Sequence, residues 1–172
     1  MGQAKMHVGV QGIGTSKMEL QFLTRHGVTH MDAQVDGNDA NTLARHRQEA
    51  ADEGISLEMI HHDPARSITL AQDPQRDRDI EEYCKVIEAV GQAGLRGINY
   101  NFCVLSHQRT PNTPGRGGSS YSTFDISEYD NETLSDAGVV SRDESFDRAG
   151  YFLERVIPCL LYTSPSPRDD EL

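Results

Sequence analysis

Two adjacent histidines, His61 and His62, close an apolar run that begins at Ile55. Imidazole is the side chain that titrates nearest neutral pH, so either residue could ligate a metal ion or exchange a proton with a substrate. Neighbours on an extended strand face opposite sides. At most one of the pair can therefore point into a given site, and a hydrogen-bonded structural role stays open for His61. Asn101 follows in the run Asn99–Tyr100–Asn101. Arg109 comes next, with a planar fork that matches a carboxylate through two parallel hydrogen bonds. Its plain alternative is a surface ion pair. Arg116 lies in the stretch GRGGSSY, residues 115–121. Such a stretch can wrap an anion with its backbone N–H groups, although the Lys-Ser/Thr of a phosphate loop is missing. The three cysteines, Cys84, Cys103 and Cys159, have spacings that fit neither a zinc site nor a disulfide framework. Cys103, inside an apolar run, reads as a small buried hydrophobe.

These residues need elements to hold them. Residues 6–12 (MHVGVQG) read as a strand, and Ser16 with Glu19 form a capping box ahead of a helix carrying Met18 and Phe22 and stopping at Gly27. Residues 29–35 read as a second strand. Asn38 or Asp39 caps a second helix that ends at Gly54, and Ile55–His62 is the third strand. Ile80, Tyr83, Cys84, Ile87 and Val90 mark one face of a third helix, closed by Gly94, and residues 95–105 form the fourth strand. Residues 106–140, rich in Gly, Ser, Thr, Pro and Asp, lack periodicity and read as one long functional loop. A second capping box, Ser141 and Glu144, opens a last helix with Phe146, Ala149, Leu153 and Val156 on one face, ended by Pro158.

Strand and helix alternating four times make a parallel sheet, either open and doubly wound or closed as a barrel. The turn GVQGIGTS misses the G-x-G-x-x-G spacing, which lowers the dinucleotide-binding reading. In a parallel barrel the chemistry sits beyond the C-terminal ends of the strands. That rule is what selects His61, Asn101, Arg109 and Arg116.

The chain has 172 residues and a formal net charge of −11. Acidity of that size argues against nucleic acid and against an anionic membrane, both of which ask for a basic surface. With no long apolar segment and no apolar signal core, a reducing cytoplasm is the expected location.

From Gly94 onward, GLRGINYNFCVLSHQRTPNTPGRGGSSYSTFD resembles the mannonate dehydratase family. The resemblance lies in Tyr100, Asn101 and Phe102 at the end of the fourth strand, then Arg109 and Thr110, then a loop returning to Phe124 and Asp125. The earlier pattern, including GISLEMIHHDP, agrees. The resemblance implies an α/β fold, a xylose-isomerase-like (β/α)8 TIM barrel. It also implies dehydration of D-mannonate to 2-keto-3-deoxy-D-gluconate in hexuronate (glucuronate) catabolism, with Mn²⁺ or Fe²⁺ as cofactor. A divalent ion would hold the substrate carboxylate and stabilise enolate-like charge while a general base removes the α proton. The family's metal ligands come from the second half of the barrel, so none is expected on this chain, and Cys103 does not stand in for one. Asn101, Arg109 and Arg116 are then expected to bind a small-molecule sugar acid. His61 is the candidate for proton transfer, and the full-length protein is expected to be a homo-oligomer.

A complete barrel of this type needs roughly 250 residues. Residues 1–158 are therefore expected to be its N-terminal half, about four βα units plus one further helix. Residues 159–169, CLLYTSPSPRD, back-translate into the transposon-end adapter of sequencing libraries, so 159–172 are expected to be an artefactual tail. Two other readings compete: a sugar (phosphate) isomerase or epimerase of the same barrel group, and a non-catalytic barrel.

Overall fold

The computed structural model describes residues 6–105, 108–130 and 132–163. In chain order the elements are β1 (Gly9–Ile13), α1 (Lys17–Arg25), β2 (His30–Ala33), α2 (Ala40–Asp52), β3 (Ser56–His61), α3 (Arg66–Thr69), α4 (Gln75–Gln92), β4 (Gly97–Asn99), β5 (Thr110–Pro114), β6 (Ser120–Thr123) and α5 (Arg142–Thr163). Strands β1 to β4 form one sheet in the order β1-β2-β3-β4, parallel throughout.

The helices between these strands share one face of the sheet. Leu20 and Leu23 of α1, Leu43 and Ala50 of α2, and Val86, Ala89 and Val90 of α4 join Met31, Ala33, Leu57 and Ile60 in a single buried cluster. A doubly wound sheet places helices on both faces and reverses its strand order. This sheet does neither, and its sequential order with one-sided helices is that of a barrel wall. The other face is left to residues that alternate with the core positions. Gln11 lies between the packed Val10 and Ile13, and Asp32 between Met31 and Ala33. The register aligns Gln11 with Asp32, Asp32 with Met59, and His61 with Asn99.

The three helix ends that meet the next strand repeat one device. Val28 N–H donates to Leu23 O, Ile55 N–H to Ala50 O, and Leu95 N–H to Val90 O, each across a glycine. Gly54 and Gly94 take φ of +80° and +72°, a region that costs a side-chain-bearing residue about 1–2 kcal/mol. This hydrogen-bond pattern closes the orphan carbonyls of the last turn and delivers an apolar residue to the strand start, buried at Ile55 and Leu95 and partly buried at Val28. The capping box at Ser16 and Glu19 forms as expected, and Asp39 caps α2 by accepting from Asn41 and Thr42. At Ser141 only half the second box forms. Its hydroxyl accepts from Glu144 N–H, while the Glu144 carboxylate pairs with Arg148.

Several expectations need correction. Met18 and Phe22 are exposed, and α1 meets the sheet through Leu20 and Leu23. A helix with apolar residues on two faces does not announce which one packs. On α5 the expected Val156 is buried, but Phe146 is exposed and Phe152 takes its place, joining Val156, Ile68, Ile80, Tyr83 and Ile87 in a second buried cluster. Pro158 does not end α5, which runs on to Thr163. Beyond β4, the expected unbroken loop contains the antiparallel hairpin β5–β6. Its strands, TPNTP and SYST, are exposed almost throughout, so no buried stripe marked them. The run GRGGSSY is largely the hairpin's turn, where Gly115 N–H donates to Ser119 O. The polar connection after Pro64 contains the short helix α3. α5 follows β4 and the hairpin as the last helix of the series.

Among the cysteines, the reading of Cys103 as a buried residue needs correction. Cys103 lies past the end of β4 and is half-buried. Cys84 and Cys159 bring their Sγ atoms to 2.7 Å, linking α4 to α5. Burial, reinforced by that contact, pushes the Cys84 thiol up to about 12. No helix among the described residues is long and apolar enough to cross a membrane.

Candidate active site

All four parallel strands end on one rim, and the polar groups of interest gather there. His61 is the last residue of β3. Its Nε2 lies 3.2 Å from Asp63 Oδ1, with the His61 side chain largely buried and that of Asp63 half exposed. The same carboxylate oxygen accepts the backbone N–H of Asn101 at 2.6 Å. One acid thus orients an imidazole and holds the chain beyond β4. An imidazole with one nitrogen held by a carboxylate and the ring turned to a strand end can move a proton to or from a bound molecule.

His62 goes the other way, as the alternation of a strand requires. Its ring packs 5.2 Å from Tyr83 of α4, and its carbonyl accepts from the Tyr83 hydroxyl at 3.0 Å. Burial pushes the His62 pKa down against the opposing pull of Asp63, while the neighbouring His61 lowers it further. Burial also raises that of the Tyr83 phenol. His62 and Asp63 border a cleft of about 860 Å³ that runs along α4 past Asp39, Glu82 and Glu88. That cleft follows the helix side rather than the inner face of the sheet. The strand-end cluster, with its oriented imidazole, is the better candidate for chemistry.

Next to it on the inner face lies Asp32, which sequence reasoning missed, paired with the strand-end Asn99. Asn99 Nδ2 donates to Asp32 Oδ2 at 2.6 Å. Asp32 is 5% exposed, and its Oδ1 is buried without a hydrogen-bond partner. The available signal was an acid between two apolar residues in THMDAQV, a polar residue at an inward position. Asp63 was equally legible, two residues past His61 and just before Pro64.

Tyr100 and Phe102 turn to α5, with ring centroids 5.8 and 5.7 Å from Phe152. That packing anchors the segment from which Asn101 projects. Asn101 itself is exposed. Arg109 stands at the base of the hairpin, exposed, with Nη1 donating to Gln108 O at 3.0 Å. Arg116 opens the turn at the hairpin's far end, exposed as well, its carbonyl accepting from the Ser119 hydroxyl. The structure therefore brings His61 and Asn101 together through Asp63. Among the described residues no hydrogen bond or ion pair joins Arg109 or Arg116 to that group.

Residues 8–142 match the family model described as D-mannonate dehydratase (UxuA). The chain belongs to that family. Its structure is similar to the mannonate dehydratase from Streptococcus suis serotype 2, with a TM-score of 0.76 at 18% identity over 93% of this chain and 52% of that one. It is also similar to D-psicose 3-epimerase from Clostridium cellulolyticum H10, at TM-score 0.57 and 11% identity over 92% of this chain and 50% of that one. A further D-psicose 3-epimerase, in the presence of D-fructose, gives 0.53 and 12% over 90% and 50%. The mannonate dehydratase likeness and the epimerase likeness agree on the parallel α/β architecture of a TIM barrel. The chain spans about half the length of each of these structures. For a member of the D-mannonate dehydratase family the metal question is immediate. Among the described residues no group of three or more His, Cys, Asp or Glu side chains comes together to hold an ion. His61 and Asp63 make two potential ligands, which is one short of the smallest such set.

Proposed function

We propose that this chain supplies the first four βα units of a (β/α)8 barrel that dehydrates D-mannonate to 2-keto-3-deoxy-D-gluconate in hexuronate (glucuronate) breakdown. The observation that carries this reading is the family match over residues 8–142. The reaction removes the proton α to the sugar carboxylate and expels the 3-hydroxyl. A divalent ion, Mn²⁺ or Fe²⁺, would stabilise the negative charge that develops. The residues here do not make a complete set of ligands for it, so that chemistry is assigned to the strands of the other half.

The roles left to this chain are binding and orientation. Asn101 and Arg109 contact the sugar acid, and Arg116 approaches its carboxylate from the hairpin. His61, oriented by Asp63, is the group on this chain suited to carry a proton. We further propose that residues 159–172 are foreign to the protein, and that the whole enzyme is a cytoplasmic homo-oligomer. Overlapping sequence reads across codon 159 test the first of these, and light scattering of the full-length protein tests the oligomer.

The decisive experiment is turnover of D-mannonate by the full-length protein with Mn²⁺, following the 2-keto product. Arg109→Ala and Arg116→Ala should each raise KM by about 10- to 100-fold, the effect of losing a charge-assisted hydrogen bond of roughly 1.5–3 kcal/mol. A second reading, epimerisation of a ketose, draws on the likeness to D-psicose 3-epimerase. Formation of an epimer without loss of water would favour it. Absence of both products would leave a non-catalytic barrel.

A further inference from the structure

We propose that Arg66 is a positioning residue that closes the neck of the loop between β4 and α5, and so presents that loop's arginines to the substrate. The substrate part of this inference rests on the function proposed above. The neck itself rests on geometry alone.

Arg66 begins α3, on the same rim as His61 and Asn101. A guanidinium has five N–H donors, and Arg66 engages all of them. Its Nε donates to Asp136 Oδ2 at 2.8 Å, and its Nη2 to Asp136 Oδ1. Nη2 also donates to Val104 O at 2.8 Å, and Nη1 to Cys103 O at 2.7 Å and Thr69 Oγ1 at 3.1 Å. An exposed ion pair alone would count for little. Here a fork-on-fork carboxylate contact is combined with two backbone carbonyls, a geometry that a lysine cannot reproduce.

The acceptors give the arrangement its meaning. Cys103 and Val104 mark the entry to the loop, and Asp136 stands near its exit. One side chain therefore pinches both ends of a segment that carries Arg109, the hairpin and Arg116. Three residues before Arg66, Asp63 holds Asn101 N–H. Residues 63–66 thus grip 101–104 along their length and fix the loop to the end of β3. On the far side Arg148 of α5 donates to Thr69 O at 3.1 Å, so α3 is itself braced. Arg66 is spent on this frame and has no donor left for a ligand. Arg109 and Arg116 keep theirs largely free.

The test uses the full-length protein and the variants Arg66→Lys, Arg66→Gln and Asp136→Asn. Trypsin cleavage after Arg109 and Arg116, mapped by mass spectrometry, reads opening of the neck directly. Local opening controls such cleavage when reclosing is fast, and Arg66→Lys should accelerate it about tenfold. Asp136→Asn, which keeps one acceptor, should produce a smaller change in the same direction. KM for D-mannonate should rise about tenfold in Arg66→Lys while kcat changes less than about twofold, the signature of lost binding rather than lost chemistry. Thermal midpoints within a few degrees of wild type separate this from general unfolding. Unchanged cleavage in the lysine and glutamine variants would overturn the neck. Faster cleavage with unaltered KM would overturn its role in presenting the loop. If the wild-type protein does not turn over D-mannonate, the functional reading falls, and proteolysis alone still judges Arg66.

Discussion

Asn99 reaches across strand β3 to donate its side-chain amide to Asp32, linking the second and fourth strands on the inner face at 2.6 Å. In closed parallel barrels, side chains of alternate strands share a layer, and this pair is such a layer in polar form. The second oxygen of Asp32 is sealed without a partner. An acceptor left in that state costs free energy and leaves a place for a donor.

Asp32→Ala in the full-length protein should lower the unfolding free energy by about 1–3 kcal/mol, because Asn99 then loses its acceptor. The double change Asp32→Leu with Asn99→Leu should recover most of that loss, since it removes both polar groups together. Urea denaturation of the two variants decides the matter. A double variant as unstable as the single one would show that the pair does more than satisfy itself.

Asp63 serves two masters, the His61 imidazole and the Asn101 backbone. Asp63→Ala should therefore reduce kcat/KM for D-mannonate by about 100-fold, at the lower end of what loss of an oriented proton-transfer group costs. Asp63→Asn keeps an acceptor for Asn101 N–H and should retain the loop's placement while still impairing His61. Equal turnover in the alanine variant and wild type would remove His61 from the chemistry.

His62 gives a pH prediction with a definite sign. Burial holds its folded-state pKa below the ordinary value of 6.5. Below that pH the unfolded chain takes up a proton that the fold resists, so stability falls as the solution is acidified. Above it both states are neutral and the contribution is flat. Urea midpoints between about pH 5 and 7 should fall on acidification in wild type and fall less in His62→Phe, which keeps a ring against Tyr83. Parallel pH curves would contradict the assignment.

Among the described residues, strands β1 and β4 each pair on one side only. Unpaired edges of this kind recruit other chains, and a barrel wall finds its remaining partners only by closing. The 172-residue chain expressed by itself should therefore aggregate or stay partly molten, binding an apolar dye and lacking a sharp melting transition. A soluble monomer that melts cooperatively would speak against this.

The parts of the fold that were readable from sequence share a physical cause. The glycines at 27, 54 and 94, the caps at Ser16 and Asp39 and the apolar stripe of α4 all express themselves within a few residues, so order and class of the elements followed. What escaped notice depended on distant partners. The hairpin strands bury nothing, Phe152 outcompetes Phe146 only because Tyr83, Tyr100 and Phe102 surround it, and Arg66 looks ordinary until Cys103, Val104 and Asp136 arrive. At the candidate site, the strand-end rule selects His61 and Asn101 as proposed site residues. Asp63 and Asn99 stand at the same strand ends, but that Asp63 joins His61 to Asn101 and that Asn99 reaches Asp32 needed the register to be seen.

The glycine-closed helix ends all feed strand starts, which places them on the rim opposite His61 and Asn101. If the proposed site holds, durability and selectivity are encoded at opposite rims of the sheet. A mutational library confined to the helix-to-strand junctions could tune resistance to heat while ligand choice stays fixed, and one confined to residues 61–66 and 99–140 would do the reverse.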